Sequence, residues 1–484
     1  MRDSPRAQSP LELLLPEGYA RHFEVTGSGC PDRLLPRGEG ALPGRSDLLV
    51  LAPSPYECAR PGWLRTAIRG LAGRLPAGGL AYVLAPRGWR WRALSLLRGT
   101  GLDAGLFVAH LPNSYAPRQR MVPLRLPELR YALLELGPRR PSRRLLVLAL
   151  RARLDWLLAE ALPSVAFVAR WPDSPAPFAW LGEPTPVGAV ADLEWDGRDV
   201  AAVVHGFWSG PDQPSLVAKV PLSAPVRDRA QEAERLSELG PAAREAGAAV
   251  PETVAIRTLQ GKAVLMETAL PGRPAAGLLR EQSRRLPQLI QAAVRWLQRW
   301  NELTVQPAVV GEAWLQERIA AARLIRAELG DGEQYCRRLE SLARELAGGR
   351  IPLVAAHQDL SASNLLFARN GGFGVVDWEM ASGAALPLVD FFYMASDLAA
   401  ATMGYRSWPS AAVACFKPEG RWASQVAAQQ ARLTGALGIS PGLATFCFHA
   451  CWLGRIQRDY HRGLRERWQP FLEILRAFPL EVRA

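Results

Sequence analysis

The chain has 484 residues, 49% of them hydrophobic, which excludes extensive disorder and predicts roughly three globular units. Six cysteines over this length do not form the framework of a small secreted protein, and no segment reaches the roughly 18 uncharged apolar residues of a membrane helix. The net charge of +12 is concentrated in residues 1–165, where 24 arginines outnumber 13 acidic residues, and the N-terminus lacks the apolar run of a signal peptide. We therefore expect a cytoplasmic protein without a membrane span.

The first part of the chain alternates short apolar runs with stretches of helical spacing. Buried strands are predicted over 47–52, 81–85, 106–109 and 132–136, and helices over 63–75 and 91–97. Because strands that alternate with helices usually form parallel sheets, this pattern predicts a layered α/β unit.

Three segments of this unit, residues 47–52, 75–84 and 111–117, resemble the later half of a class I methyltransferase domain. The nucleoside cofactor of such a fold would lie on a glycine-rich turn between a strand and a helix. No G-x-G-x-x-G sequence precedes Asp47. We therefore expect residues 1–165 to form a degenerate Rossmann-like α/β domain without a working cofactor site. A functional methyltransferase domain joined to the rest of the chain is an alternative.

Residues 137–170 combine four clustered arginines with an apolar run of helical spacing. They predict an amphipathic linker helix with a solvated basic face, and attachment to a membrane surface is the alternative interpretation. The basic front part would also attract polyanions, but it contains no known reader motif, so we expect no specific nucleic-acid partner.

From residue 187 the pattern changes to antiparallel strands followed by helices. Strands are predicted over 187–194, 199–207, 216–220, 254–257 and 263–267, with one charged helix over 228–239. Farther along, the spacing predicts helices over 280–304, 311–347, 388–404, 421–436 and 441–477, interrupted by strands around 353–378. We expect a small lobe with a sheet over residues 166–270 and a helical lobe over residues 271–484.

One segment of the helical part carries the residues that phosphoryl transfer requires. Asp359 and Asn364 lie five residues apart in the sequence H-Q-D-L-S-A-S-N, and an Asn-Gly turn then precedes a second aspartate, Asp377. In kinase catalytic loops one carboxylate orients the attacking hydroxyl, while an amide oxygen and a second carboxylate bind Mg²⁺. We predict Asp359, Asn364 and Asp377 as catalytic residues, with Asn364 and Asp377 as the metal ligands.

From about residue 176 onward this pattern resembles the aminoglycoside phosphotransferase and choline kinase group. His357 and Asp359 match the His-x-Asp loop of that group, and residues 377–379 match its metal-binding Asp-Trp-Glu sequence. Asp390 matches the aspartate of the following segment, which supports the catalytic loop in that group. The resemblance implies an α+β, two-lobed protein kinase-like fold in which His357 and Asp390 brace the catalytic loop.

Lysine is scarce in this chain, with three lysines among 58 basic residues. Lys219 lies in the sequence L-V-A-K-V, which resembles the kinase strand whose lysine contacts the α- and β-phosphates. Arginine does not replace lysine as a compact charge in such a site. The resemblance implies a glutamate partner on the next helix, for which we prefer Glu232 and keep Glu234 as an alternative.

The remaining nucleotide contacts follow from the same resemblance. Met266, Glu267 and Thr268 match the strand that links the two lobes, whose backbone groups would meet the base. Gly197, in the turn between the first two strands of the small lobe, is the predicted phosphate-covering residue, and residues 206–210 offer an alternative loop.

Together these features predict an ATP- and Mg²⁺-dependent phosphotransferase that acts on a hydroxyl group of a small molecule. The resemblance implies an acceptor of the sugar, aminoglycoside or amino-alcohol type. No Ala-Pro-Glu or Asp-Phe-Gly sequence stands where a protein kinase has them. The alternative is a nucleotide-binding pseudokinase that regulates a glycan or secondary-metabolite pathway.

Cys447, His449 and Cys451 stand close together in an apolar run near the C-terminus. A four-residue spacing puts the two cysteines on adjacent turns of one helix, where buried cysteines behave as small hydrophobic residues. We interpret them as core residues, and a metal site is the alternative.

Overall fold

The structure is a computed structural model, and it describes residues 23–26, 48–86, 88–109, 120–123, 164–174, 176–181, 188–195, 200–207, 214–221, 229–259, 262–368, 371–461 and 463–480. The chain divides into two compact units. The first consists of residues 1–230 and 253–269, and the second of residues 231–252 and 270–484.

The first part of unit one is a sheet flanked by helices. Its strands are β1 (Phe23–Thr26), β2 (Leu48–Leu51), β3 (Leu80–Pro86), β4 (Asp103–Ala109), β5 (Arg120–Pro123) and β6 (Ser164–Arg170), and its helices are α1 (Pro55–Ala59), α2 (Trp63–Arg74) and α3 (Arg90–Arg98). Alternate residues of β2 and β3 enter two different hydrophobic cores, one on each face of the sheet. Burial on both faces explains why these strands are continuous apolar runs in the sequence.

Strand β6 corrects the last part of the linker helix predicted over residues 137–170, whereas residues 137–163 lie outside the described residues. Residues 164–170 form a strand that lies between β3 and β4 and is antiparallel to both. Phe167 packs into one core and Val168 into the other, so this apolar run is buried on two faces as a strand. Parallel pairing among the described strands is confined to β1, β2 and β3. The strand predicted over 132–136 lies outside the described residues.

The antiparallel strands predicted from residue 187 onward are confirmed. They are β7 (Gly188–Trp195), β8 (Val200–Phe207), β9 (Leu216–Pro221), β10 (Thr253–Leu259) and β11 (Lys262–Thr268). They belong to the same sheet as the front strands, because β5 pairs with β7 through Arg120↔Asp192 and Met121↔Ala191. The 11-stranded sheet has the order β1-β2-β3-β6-β4-β5-β7-β8-β9-β11-β10.

The second unit is mainly helical, as the sequence predicts. Its helices are α4 (Arg229–Glu245, with its first two residues in unit one), α5 (Ala275–Glu281), α6 (Leu286–Thr304), α7 (Glu312–Arg318), α8 (Ala321–Leu324), α9 (Gly332–Leu346), α10 (Val389–Thr402), α11 (Trp408–Phe416), α12 (Ala423–Leu437), α13 (Pro441–Tyr460) and α14 (Arg465–Ala477). Its strands are β12 (Arg273–Pro274), β13 (Gln306–Val309), β14 (Arg350–Ala356), β15 (Leu365–Phe367), β16 (Phe373–Val375) and β17 (Ser382–Ala385). The predicted α+β fold class is confirmed.

Predicted helical segments are broken in the structure at 441–477 and 311–347, and some helices, α1 and α11 among them, were not predicted. The segment 441–477 divides into α13 and α14 at Gly463, whose φ of +69° is a left-handed conformation that glycine adopts readily. The segment 311–347 divides into α7, α8 and α9. The unpredicted helix α11 begins after Ser407, whose hydroxyl accepts a hydrogen bond from Ser410 N at 3.2 Å.

Within the described part of the chain, no single helix is long and apolar enough to cross a membrane. One pair of helices, α12 and α13, meets the length and composition criteria when the two are taken together, but they are bent by 115° relative to each other.

Candidate functional site

The catalytic loop follows strand β14 and brings two of the predicted residues into contact. The Asn364 amide nitrogen donates to the Asp359 carbonyl oxygen at 2.9 Å and approaches its carboxylate oxygen Oδ2 at 3.3 Å. The Asp359 side chain is 26% exposed, whereas Asn364 is buried. The loop therefore presents one partly exposed carboxylate whose backbone is fixed by the amide five residues later.

His357 and Asp390 hold this loop in place, as the resemblance implies. Asp390, at the start of α10, accepts hydrogen bonds from His357 N at 2.6 Å and Gln358 N at 2.8 Å. Burial raises the pKa of Asp390, while His357 and the two backbone N–H groups act in the opposite direction. Gln358 has a φ of +59°, so these bonds stabilise a left-handed conformation that a side-chain-bearing residue rarely adopts.

An aromatic cluster packs behind the loop. The indole nitrogen of Trp378 donates to Val375 O at 3.1 Å, and its ring lies 5.1 Å from that of His357 and 5.6 Å from that of Trp300. His357 Nε2 is 3.1 Å from Val376 O. Because these side chains are buried, the strand that leads to Asp377 and the loop that holds Asp359 are fixed against the same core.

Arg455 contributes to this site and was not predicted from the sequence. Its Nη1 donates to Asp359 Oδ1 at 3.0 Å and its Nη2 to Gln358 O at 2.6 Å, so one guanidinium holds two successive residues of the loop. The guanidinium also lies 3.0 Å from the centre of the Tyr393 ring. A single charged residue within the apolar run of α13 was the sequence signal that could have identified it.

Asp377 joins a cluster of carboxylates that could hold a metal ion. It follows β16 with a φ of +70°, and carboxylate oxygens of Asp377, Glu379 and Glu232 all lie within 4.8 Å of one another. Val376 N donates to Asn364 O at 3.0 Å, which joins this strand end to the catalytic loop. Carboxylate oxygens are the ligands that Mg²⁺ prefers, so this donor set fits the ion that the resemblance implies. Glu379 was not among the predicted ligands, and Asn364 as a ligand stays a prediction.

Lys219 is placed within unit one, on β9. Its Nζ lies 3.3 Å from Glu267 Oε2 on the neighbouring strand β11, and both side chains are buried. Glu267 was predicted to contact the base through its backbone, and in the structure its side chain also pairs with Lys219. Met266 is buried beside it, and Thr268 pairs with Leu216. The pairing of Lys219 with Glu232 or Glu234 stays a prediction.

Gly197 and the alternative loop beyond residue 207 lie outside the described residues. Phosphate contacts from this part of the chain therefore stay predictions.

The Cys447, His449 and Cys451 group lies in the buried interior of α13. The Tyr335 hydroxyl lies 3.0 Å from His449 Nδ1, and Cys451 Sγ donates to Val389 O at 3.4 Å. Among the described residues the only cluster with metal-binding geometry is that of Glu232, Asp377 and Glu379. The structure therefore supports the interpretation of these three as core residues.

Residues 205–435 match the model of the phosphotransferase enzyme family. No curated protein matches the chain.

Three of the similar solved structures illustrate the likeness. The GDP complex of a wild-type aminoglycoside 2′-phosphotransferase is 13% identical with a TM-score of 0.39, and the alignment covers 61% of this chain and 93% of that one. A glucosamine kinase is 16% identical with a TM-score of 0.33, covering 62% of this chain and 92% of that one. An aminoglycoside phosphotransferase from Streptomyces rimosus is 20% identical with a TM-score of 0.35, covering 54% and 91%.

The family match confirms the resemblance read from the catalytic loop, and it contains Lys219, Glu232, Asp359, Asn364 and Asp377. It does not extend to residues 1–204, so the resemblance of the front part to a methyltransferase stays a prediction. Over residues 205–435 the chain is thus similar to the phosphotransferase enzyme family.

Proposed function

We propose that the protein transfers the terminal phosphoryl group of ATP, with Mg²⁺, to a hydroxyl group of a small molecule. The proposal is supported mainly by the contact between Asn364 and Asp359 within the catalytic loop. A hydrogen bond from Val376 N to Asn364 O joins this loop to the end of the strand that precedes Asp377. This arrangement supplies a carboxylate for the attacking hydroxyl and a carboxylate cluster for a metal ion.

In this proposal Asp359 orients the acceptor hydroxyl and accepts its proton on Oδ2. Its other oxygen, Oδ1, is occupied by Arg455 at 3.0 Å, so the carboxylate is held in one orientation. Holding two reacting groups in a near-attack arrangement lowers the entropic part of the barrier. Asn364 and Arg455 thus position the group that meets the substrate.

Asp377, Glu379 and Glu232 would hold Mg²⁺, which supplies neutralisation of the nucleotide phosphates when bound. As predicted from the sequence, Lys219 would contact nucleotide phosphates, and Glu267 pairs with its ammonium group. The backbone of Met266 and Thr268 would meet the base. The five described cysteines that are free are consistent with a reducing compartment, and we propose the cytoplasm.

The test is release of ADP by the purified full chain with MgATP and a panel of hydroxyl acceptors, which includes sugars, amino sugars, amino alcohols and sugar phosphates. We expect one acceptor class to stimulate ADP release and Asp359→Asn to reduce the rate by about 100-fold or more, since a positioned general base contributes about 10²–10⁴. Mass spectrometry of the product should show one added phosphoryl group.

The matched control is Asp173→Asn, which changes an exposed aspartate of the first unit and should leave the rate unchanged. If MgATP binds but no acceptor stimulates turnover, the phosphotransferase proposal fails and the pseudokinase alternative takes its place.

A further inference from the structure

A cavity lies against the catalytic loop in the second unit. Its volume is about 360 Å³, the size of a small-molecule site, and its walls include Gln358, Arg455 and Arg458. Gln358 and Arg455 both belong to the group of contacts around Asp359. A ligand in this cavity would therefore contact Gln358 and Arg455, which adjoin the proposed acceptor-activating carboxylate of Asp359.

Arg458 occupies one wall of this cavity, one turn beyond Arg455 on the same face of α13. Its side chain is partly buried. Among the described residues none forms a hydrogen bond or an ion pair with its guanidinium, although Arg455, Asp359 and Asp459 act on it electrostatically. Burial, followed by the charge of Arg455, lowers the pKa of Arg458, whereas Asp359, Tyr393 and Asp459 act in the opposite direction.

The acidic residues around the cavity are already engaged. Asp390 accepts two backbone hydrogen bonds, and Asp359 accepts from Arg455. Glu317, which also lines the cavity, pairs with Arg318 at 3.1 Å. Arg458 is therefore the cation of this wall whose donors are available to a ligand. A partly buried cation without a partner is unfavourable, and an anion that accepts its hydrogen bonds would relieve that penalty.

We propose that the acceptor carries an anionic group, a phosphate or a carboxylate, that Arg458 binds in this cavity. This inference rests on the proposed phosphotransferase function and names the substrate class of the same site. An acceptor held at Arg458 by its anion would extend a hydroxyl toward Asp359, past the guanidinium of Arg455. Polycationic acceptors would be repelled by two arginines on one wall.

The experiment measures binding of small probes by isothermal titration calorimetry. Inorganic phosphate and acetate serve as the anions, and glucosamine serves as the cationic comparison. We expect Arg458→Gln to weaken the binding of at least one anion tenfold or more, and Arg458→Lys to weaken it less. Selective binding of phosphate or of acetate assigns the anionic group.

Two variants locate the effect. Arg432→Gln changes an exposed arginine of α12, and Lys219→Met changes the proposed nucleotide phosphate site; neither should alter anion binding to the cavity. Melting curves from circular dichroism verify that each variant folds. The affinities of the unaltered protein for phosphate, acetate and glucosamine can be compared without any variant. If glucosamine binds more tightly than both anions, the inference is overturned.

Equal anion affinity in the unaltered protein and in Arg458→Gln, including no measurable binding in both, also overturns it. If the protein phosphorylates an acceptor but its anion binding does not depend on Arg458, this inference is wrong and the proposed function stands. Arg458-dependent anion binding without turnover of any acceptor leaves an anion site and removes the proposed function.

Discussion

Arg455 and Asp359 are 96 residues apart in the sequence, and their side chains meet at 3.0 Å in a part of the protein that is largely closed to solvent. The guanidinium also binds the carbonyl oxygen of Gln358, so it fixes both the carboxylate and the backbone that carries it. Arg455 is thus a positioning residue for the predicted catalytic aspartate.

Replacing Arg455 should therefore affect the chemical step more than nucleotide binding. A hydrogen bond to a charged group contributes about 1.5–3 kcal/mol, so we expect Arg455→Gln to lower kcat by roughly 10- to 100-fold. KM for MgATP should change little, because Arg455 lies in the wall of the acceptor cavity. Steady-state kinetics with Arg432→Gln as the control provide the measurement, and an unchanged kcat would show that Asp359 needs no such support.

Asp390 accepts two backbone hydrogen bonds with two different oxygens, and an amide cannot do the same. In Asp390→Asn the NH₂ group would face one of the two N–H donors. We expect the free energy of unfolding to fall by about 2–3 kcal/mol, since a buried donor loses its partner. Urea denaturation measures this change. Asp331→Asn is the control, because asparagine caps helix α9 as well as aspartate does; an equal loss in both variants would refute the bracing role.

The carboxylate cluster of Glu232, Asp377 and Glu379 makes a prediction that needs no acceptor. Mn²⁺, as a paramagnetic substitute for Mg²⁺, should bind to the protein, and Glu379→Gln should weaken that binding by about tenfold or more. Water proton relaxation measures the affinity. Glu333→Gln changes an exposed glutamate of the same unit and should have no effect. Equal Mn²⁺ affinity in both variants would exclude Glu379 as a ligand.

We expect the buried carboxyl group of Asp397 to make the folded protein less stable as the pH rises toward neutrality. Burial, with a further contribution from the charge of Asp359, raises the pKa of Asp397 to about 7. Between about pH 4 and pH 7 the folded state therefore keeps a proton that the unfolded state has released, and stability falls as the pH rises. Asp397→Asn should flatten this slope in calorimetric melting between pH 4 and pH 8. A slope that persists in the variant would assign the effect to another group.

The buried His449 should have the opposite effect on the pH dependence of stability. Burial lowers its pKa to about 3, so the folded state holds it neutral beside the Tyr335 hydroxyl. The unfolded state takes up a proton as the pH falls below about 6.5, and stability should decrease from there toward pH 3. His449→Gln keeps an acceptor for Tyr335 and should remove this acid limb in urea titrations. The exposed His461→Gln should retain it.

Local sequence predicted the parts of the fold that depend on neighbouring residues. The strands around Lys219 were placed within one or two residues of their observed bounds, because alternating burial and turn residues are local signals. The catalytic loop was equally accessible, since Asp359 and Asn364 contact each other across only five residues.

Contacts that join distant segments were beyond such reasoning. Arg455 reaches Asp359 only because α13 packs beside the loop, and no periodicity encodes that approach. Strand β6 was misread because an apolar run buried on two faces lacks alternation and is compatible with either a helix or a strand. The carboxylate of Glu379 was overlooked as a ligand because the turn at Asp377 decides where it points.

The continuous sheet of unit one limits how the gene can be shortened. A truncated protein that starts after β5 would leave β7 without its neighbour and expose the backbone of Gly188–Trp195 at a free edge. Such an edge is a template for pairing with another copy. The front strands thus cover the edge of β7, a structural role that needs no catalytic activity of their own.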